Sequence, residues 1–160
     1  MSNAFKIGFG AVLAVFAVLI WIGFATTKGN HLAPTGNIGK VRVQGIADDQ
    51  SFMVIDFNAK NDSDRDMTVH SIEVTVETPD GEATGGPVAA RDLEGAFRSY
   101  PTLGDMYNPA LKDRDVIPAH SSVDRMVAAR FDLPAAQIEN RKKVTLSVQD
   151  VTGATLTLTK

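Results

Sequence analysis

Three aspartates at alternate positions form the most metal-like pattern in this sequence. Asp62, Asp64 and Asp66 are followed by Glu73, which reproduces the acidic spacing of an EF-hand calcium loop. The rest of that motif is missing, because Met67 stands where the loop requires glycine and the flanking residues have strand patterns. The sequence therefore argues against an EF-hand. A looser calcium site built from the three aspartates is left as an alternative to an ordinary solvated turn.

Residue types used in catalysis are present, but their arrangement is not catalytic. The chain has three histidines and no cysteine, which excludes a thiol nucleophile, a cysteine-ligated metal centre and a disulfide scaffold. His120, Ser121 and Asp124 are triad residue types, but a triad requires convergence in space, and neighbours on an extended chain point in different directions. We therefore expect no enzyme activity, no cofactor and no resident metal.

The chain also lacks the features of a nucleic-acid-binding protein. Its formal net charge is −3, and its only basic cluster, Arg141-Lys142-Lys143, has no interleaved aromatic residues. We expect no nucleic-acid partner.

The amino-terminal part differs sharply from the remainder of the chain. No ionisable side chain occurs between Lys6 and Lys28, and every residue from 7 to 25 is apolar or glycine. A helix of this length spans about 28 Å, close to the hydrocarbon thickness of a bilayer. We interpret residues 1–27 as a transmembrane helix and residues 28–39, which are rich in glycine and small polar residues, as a linker. A signal peptide cleaved near Ala25 is the alternative, although its apolar core would be unusually long.

Two features of this segment predict how it sits in the membrane. Gly10, Ala14 and Ala17 share one helix face, where small residues would let a second membrane helix approach closely, although such residues are also simply common in membrane helices. Trp21 fits an interfacial anchor. The short amino-terminal tail predicts a cytoplasmic amino terminus and a translocated carboxy-terminal domain. For a bacterium, this places the helix in the inner membrane and the domain in the periplasm.

The pattern of residues 40–160 has a period of two and indicates β-strands. Apolar and polar residues alternate, and Pro, Gly, Asn and Asp clusters separate the runs. The pattern predicts an all-β fold, an antiparallel sandwich of about seven strands, with short helical segments only at 88–96 and 134–140. The strand runs lie at 41–43, 52–57, 72–76, 123–131, 144–148 and 155–159.

The order of the turns resembles a known family. Its markers are an Asn-x-Ser-Asp turn at 61–64, Pro-Asp-Gly at 79–81, Pro-x-x-Ser-Ser at 118–122, Phe-Asp-Leu-Pro at 131–134 and Val-x-Asp-x-x-Gly at 148–153. This order resembles the small immunoglobulin-like domains of bacterial cell-surface proteins and lipoproteins, and the late-embryogenesis-abundant type-14 (water stress and hypersensitive response) domain. The resemblance covers about residues 40–160 and implies an immunoglobulin-like sandwich that serves as a binding, spacer or accessory module. The paired cysteines and the domain tryptophan of antibody-type domains are absent.

A long segment interrupts the strand pattern at residues 82–116. Connections of this length in a compact sandwich usually have a function or are disordered, and this one is too rich in apolar and aromatic residues for disorder. Amphipathic aromatics and methionine are typical of partner-facing surfaces. The segment is expected to contact a partner, to pack on its own sandwich, or to do both. The candidate contact residues are Phe97, Tyr100, Leu103, Met106 and Tyr107.

These observations predict a non-catalytic, single-pass accessory subunit. Its helix and its extracytoplasmic sandwich would contact and stabilise an integral-membrane protein complex, for example a respiratory or photosynthetic one. The partners are then the lipid bilayer and that complex. The alternative is a ligand-binding or stress-protective extracytoplasmic module without an obligate partner.

Overall fold

Antiparallel β-strands make up most of the part of the chain that the computed structural model describes, residues 32–160. The predicted all-β antiparallel fold is confirmed. The strands are β1 (Thr35–Ala47), β2 (Gln50–Asn61), β3 (Met67–Thr78), β4 (Gly81–Pro87), β5 (Val116–Ile117), β6 (Ser121–Phe131), β7 (Lys143–Asp150) and β8 (Thr155–Thr159). Two α-helices, α1 (Ala90–Ser99) and α2 (Ala135–Glu139), and one 3₁₀ turn (Pro101–Leu103) complete this range.

The predicted transmembrane helix, residues 1–27, lies outside the described residues, and so do its proposed helix-packing residues Gly10, Ala14 and Ala17 and its proposed interfacial anchor Trp21. Within residues 32–160, neither helix has the length and hydropathy needed to cross a bilayer.

The strands follow the order β1-β2-β6-β4-β3-β7-β8, with β5 paired to β3. β4 links the two halves of this order, because it pairs with β3 from Gly81 to Gly85 and then with β6 through Gly86 and Pro87. The sheet curls, so that its inner faces enclose one hydrophobic core. β1 and β8 are the two ends of this order. The ammonium group of Lys160, just after β8, donates a hydrogen bond to the carbonyl of Gly39 in β1.

The core is built by the alternation that the sequence displays. In β2, Met53, Ile55 and Phe57 point inward, because successive side chains of a strand alternate between its faces. The same rule brings inward-facing residues from β3, β6, β7 and β8 against them, among them Val74, Val76, Val127, Phe131, Leu146, Val148 and Leu156. Burial of these side chains supplies the main driving force for folding.

The amino-terminal boundary of the domain differs from the expected one. β1 begins at Thr35, inside the range 28–39 expected to be a linker, and Leu32 packs against the core. Gly36 is a strand residue paired with Ala59, and a Cβ atom at Gly36 would lie 2.1 Å from the carbonyl oxygen of Asn58. Glycine is thus needed here for close strand approach, a role that linker-like composition does not distinguish from flexibility.

The 82–116 segment contains more regular structure than the strand pattern indicates. It begins within β4, which forms a tight hairpin with β3 around Pro79 and Asp80. β4 has no run of β-prone residues, and Gly85 lies directly beneath Phe131, where a Cβ atom would be 2.6 Å from the ring. α1 falls within two to three residues of the helix predicted at 88–96, and α2 lies inside the range 134–140.

Candidate interaction surface

The 82–116 segment packs on the outer face of β2 and β6, opposite the main core. On α1, Leu93, Ala96 and Phe97 are spaced three and four residues apart and form one apolar stripe. This stripe and Leu103 of the 3₁₀ turn cover the outward-facing apolar residues of the sheet, Phe52, Val54, Met126 and Ala128. Together these residues form a second hydrophobic cluster, separate from the main core. The 82–116 segment therefore packs on its own sandwich, which is one of the two alternatives considered from the sequence.

A buried ion pair holds the end of this segment on the sheet. Nη2 of Arg42 in β1 lies 2.6 Å from Oδ2 of Asp56 in β2, and both side chains are 7% exposed. Nη1 of Arg42 also donates to the carbonyl oxygens of Leu103 at 2.8 Å and Asp105 at 2.7 Å. The side-chain amide of Asn108 donates through Nδ2 to Oδ1 of Asp56 at 3.0 Å. Two charged strand residues thus bind three positions of the 103–108 chain.

Aromatic rings enclose the same guanidinium group. The Arg42 guanidinium carbon lies 5.0 Å from the ring centroid of Phe97 and 5.2 Å from that of Tyr107, within the range of cation–π attraction. The Nε atom of Arg42 has no hydrogen-bond partner among the described residues. On the solvent side, the ammonium group of Lys40 lies 4.8 Å from the Tyr107 ring centroid. Tyr107 is therefore oriented by two cations.

The five predicted partner-contact residues occupy three different environments. Leu103 is 2% exposed and lies inside the second cluster, so its side chain has almost no surface left for a partner. Phe97 and Tyr100 are half-buried against that cluster. Met106 and Tyr107 are 39% and 58% exposed. The surface that this group offers to a partner is thus centred on Met106 and Tyr107.

The three aspartates considered as calcium ligands each have a different partner. Asp62 pairs with Lys60 at 2.9 Å, Asp64 with Nε2 of His120 at 2.9 Å, and Asp66 accepts the amide N–H of Ala119 at 2.8 Å. Within residues 32–160, no group of three His, Asp or Glu side chains is placed to hold a metal ion. The structure does not bring Asp62, Asp64 and Asp66 together as one site; Asp64 and Asp66 instead connect the β2–β3 turn to the loop before β6.

Sequence reasoning missed Arg42, Asp56 and Asn108, the residues that position the exposed surface. The signals were present: Asp56 interrupts the apolar run 52–57, and Arg42 lies between two valines in a strand. An isolated charge within an apolar strand is expected to be paired if it is buried. The sequence does not show which partner it meets.

The exposed part of this arrangement is suited to binding. It contains an exposed tyrosine and an exposed methionine, residue types enriched in protein interfaces, with the Lys40 ammonium group against the tyrosine ring.

No protein-family model matches this chain, and no curated protein matches it in sequence. Among solved structures, it is similar to the archaellum periplasmic stator protein FlaG from Sulfolobus acidocaldarius, with 8% identity, a TM-score of 0.37, and coverage of 81% of this chain and 100% of that chain. It is also similar to an uncharacterized beta-sandwich protein from Clostridium difficile 630, with 12% identity, a TM-score of 0.34, and coverage of 81% and 80%. Similarity at this level does not indicate a shared function.

Proposed function

We propose that this chain is a non-catalytic accessory subunit of an integral-membrane protein complex, anchored by a single amino-terminal helix. The apolar residues 7–25 supply the anchor, and the β-domain lies on the periplasmic side of a bacterial inner membrane with the amino terminus in the cytoplasm. The helix packs through Gly10, Ala14 and Ala17 against the complex.

The observation that carries this proposal is the fixed, exposed pair Met106 and Tyr107. The Arg42–Asp56 ion pair binds the main chain of Leu103 and Asp105 and the side chain of Asn108, so this loop is bound to the sheet on both sides of the exposed pair. A preorganised loop loses less conformational entropy on association, and an exposed tyrosine adds a large amphipathic contact. A buried charge network beneath an exposed tyrosine and methionine therefore supports a docking role for this surface.

The strand order supports the immunoglobulin-like interpretation of the domain. β1-β2-β6 corresponds to the A-B-E order of an immunoglobulin sheet, and β3-β7-β8 corresponds to C-F-G. β4 corresponds to the strand that passes between the two sheets. Domains of this kind commonly serve as binding or spacer modules, which agrees with an accessory role.

The test is the association of full-length variants in native membranes. Met106→Ala combined with Tyr107→Ala should abolish co-migration with the complex on a native gel, because these side chains provide the central contact. Val151→Ala removes an exposed apolar side chain from the β7–β8 turn and is the matched control. Retention of the complex by the double variant would contradict the assignment of this surface.

The helix is tested separately. Gly10→Leu combined with Ala14→Leu should also weaken the association, because leucine prevents close helix approach. Unchanged association would show that this helix face is not a contact.

A further inference from the structure

One edge of β3 is open over a short stretch. On the carboxy-terminal side of this stretch, β4 pairs with β3 from Val74 onward. On its amino-terminal side, the amide N–H of Val69 donates to the carbonyl of Asp115, and the N–H of Arg114 donates to the carbonyl of Val69, both at 2.9 Å. Residues 70–73, about 13 Å of extended chain, have no strand on this side within residues 32–160. We name the opening bounded by residues 70–73, 87–90 and 111–113 the β3 window.

The alternation of main-chain groups identifies the residue that faces the β3 window. Successive residues of an antiparallel strand direct their N–H and C=O groups to opposite edges. The carbonyl of Glu77 accepts the N–H of Lys142 on the β7 side, so the odd-numbered residues of this part of β3 face β7. Ile72 therefore directs both its N–H and its C=O into the window. A bulge between Val69 and Ser71 returns the strand to its pairing with residues 114–115.

The window is an open cavity of about 460 Å³ with an apolar floor. Val69 and Leu111 belong to the main core, and Ile72 and Val88 line the walls. Lys112 and Asp113 stand at the rim, and their opposite charges cancel. The cavity thus combines an apolar floor, a neutral rim and the main-chain N–H and C=O of Ile72, which have no partner among residues 32–160.

We propose that the β3 window is a strand-addition site for a short extended segment of the partner complex. The inference rests on the proposed function, and it adds a second contact with the partner complex to the one proposed for Met106 and Tyr107. Three to four residues of an extended peptide supply the C=O and N–H partners that the main chain of Ile72 does not find among residues 32–160. One aliphatic side chain of the peptide fills the floor over Val69 and Leu111. Because the rim charges cancel, they complement an uncharged segment. A small amphiphile with one polar end would leave one of the two Ile72 groups without a partner.

A main-chain variant tests this directly. Ile72→Pro removes the N–H that faces the window and none that faces β7, a position where edge strands tolerate proline. Ile72→Val keeps the N–H and is the matched control. In full-length chains extracted from native membranes, Ile72→Pro should weaken association with the complex about tenfold, while Ile72→Val should not.

A side-chain variant covers the case in which Ile72→Pro fails to fold. Ala89→Trp fills the window from an exposed position on its far wall, and Ala136→Trp, on the exposed side of α2, is its control. Loss of the complex with Ala89→Trp but not with Ala136→Trp supports the proposal. Retention by Ala89→Trp overturns it, whether or not Ile72→Pro folds.

Amide hydrogen exchange gives an independent measurement. In the isolated full-length chain, the Ile72 amide should exchange much faster than the paired amides of Val74 and Val76, and in the complex it should be slowed at least about tenfold. Equal protection of Ile72 and Val74 in the isolated chain would overturn the proposal. If the wild-type chain associates with nothing, the proposed function fails; if it associates and the window variants associate equally, only the strand-addition site fails.

Discussion

The guanidinium group of Arg42 and the carboxylate of Asp56 lie 2.6 Å apart beneath the 103–108 chain, with each side chain 7% exposed. They come from adjacent strands, β1 and β2, and both project from the outer face of the sheet. Because the pair also binds Leu103, Asp105 and Asn108, it joins the sandwich to the loop that carries the exposed tyrosine. Its role is to position that loop, since a buried ion pair by itself adds little net stability.

Arg42→Met should be strongly destabilising, because it leaves the Asp56 carboxylate buried without its charged partner. The expected loss in the free energy of unfolding is about 3–5 kcal/mol, measured by urea denaturation. Lys60→Met, which breaks the exposed pair with Asp62, is the control and should cost less than about 1 kcal/mol. Equal effects of the two changes would show that the buried pair is not what holds the segment.

Alanine substitution of Leu103 should mainly reduce stability, whereas alanine substitution of Tyr107 should mainly weaken partner association. Leu103→Ala creates a cavity in the second cluster and should cost about 2–5 kcal/mol of unfolding free energy. Tyr107→Ala removes a mostly exposed ring and should cost about 1 kcal/mol or less, while weakening partner association. Thermal unfolding and native-gel migration of both variants check this. A stable Leu103→Ala protein would contradict the observed burial.

Two glycines provide a matched test of close packing. Gly85→Ala places a Cβ atom 2.6 Å from Cζ of Phe131 and 2.8 Å from Cβ of Ala129, so overpacking should cost about 1–3 kcal/mol. Gly95→Ala lies within α1, where the new Cβ would have no atom within 4 Å apart from its chain neighbours and the backbone of the helix itself, and it should stabilise the protein by about 0.5–1 kcal/mol. Denaturation midpoints should therefore move in opposite directions. An unchanged or raised midpoint for Gly85→Ala would contradict the packing at Gly85.

Asp150 should make stability depend on pH in acid. Burial raises the pKa of this carboxyl, but hydrogen bonds from the side chain and amide of Thr152, and from the amides of Thr68 and Val151, outweigh burial and lower the pKa. The stabilisation is therefore fully present above the unfolded-state pKa of about 3.9 and is lost as the pH falls through the lower folded-state pKa.

Asp150→Asn tests this dependence. At pH 7 the variant should be less stable than the wild type by about 1–3 kcal/mol, and the difference should shrink below about pH 4. Urea denaturation at pH 7, 4 and 3 measures it. A difference that stays constant with pH would show that the charged form of Asp150 is not the stabilising one.

The β-strands were predictable because their inward residues repeat at every second position, as in Met53, Ile55 and Phe57. β4 was not, since its glycines serve close packing and strand crossing rather than an apolar stripe. Likewise, Gly36 has linker-like composition but lies within β1. A glycine needed for close approach and a glycine needed for flexibility are identical in sequence.

The candidate surface was only partly predictable for a similar reason. Aromatic and methionine content identified the 82–116 segment, but not which of its residues face inward. Leu103 and Tyr107 both have apolar surface to bury, and only the packing of α1 and the 3₁₀ turn places one inside and the other outside. The Arg42–Asp56 pair depends on the register between β1 and β2, which no local pattern specifies.

The most direct measurement is gentle detergent extraction from the native membrane, followed by native-gel separation and mass spectrometry of the co-migrating proteins and of the intact chain. The proposed function predicts that the chain migrates with a larger membrane complex and retains residues 1–25. A chain that migrates alone, or one cleaved near Ala25, would contradict an anchored accessory subunit.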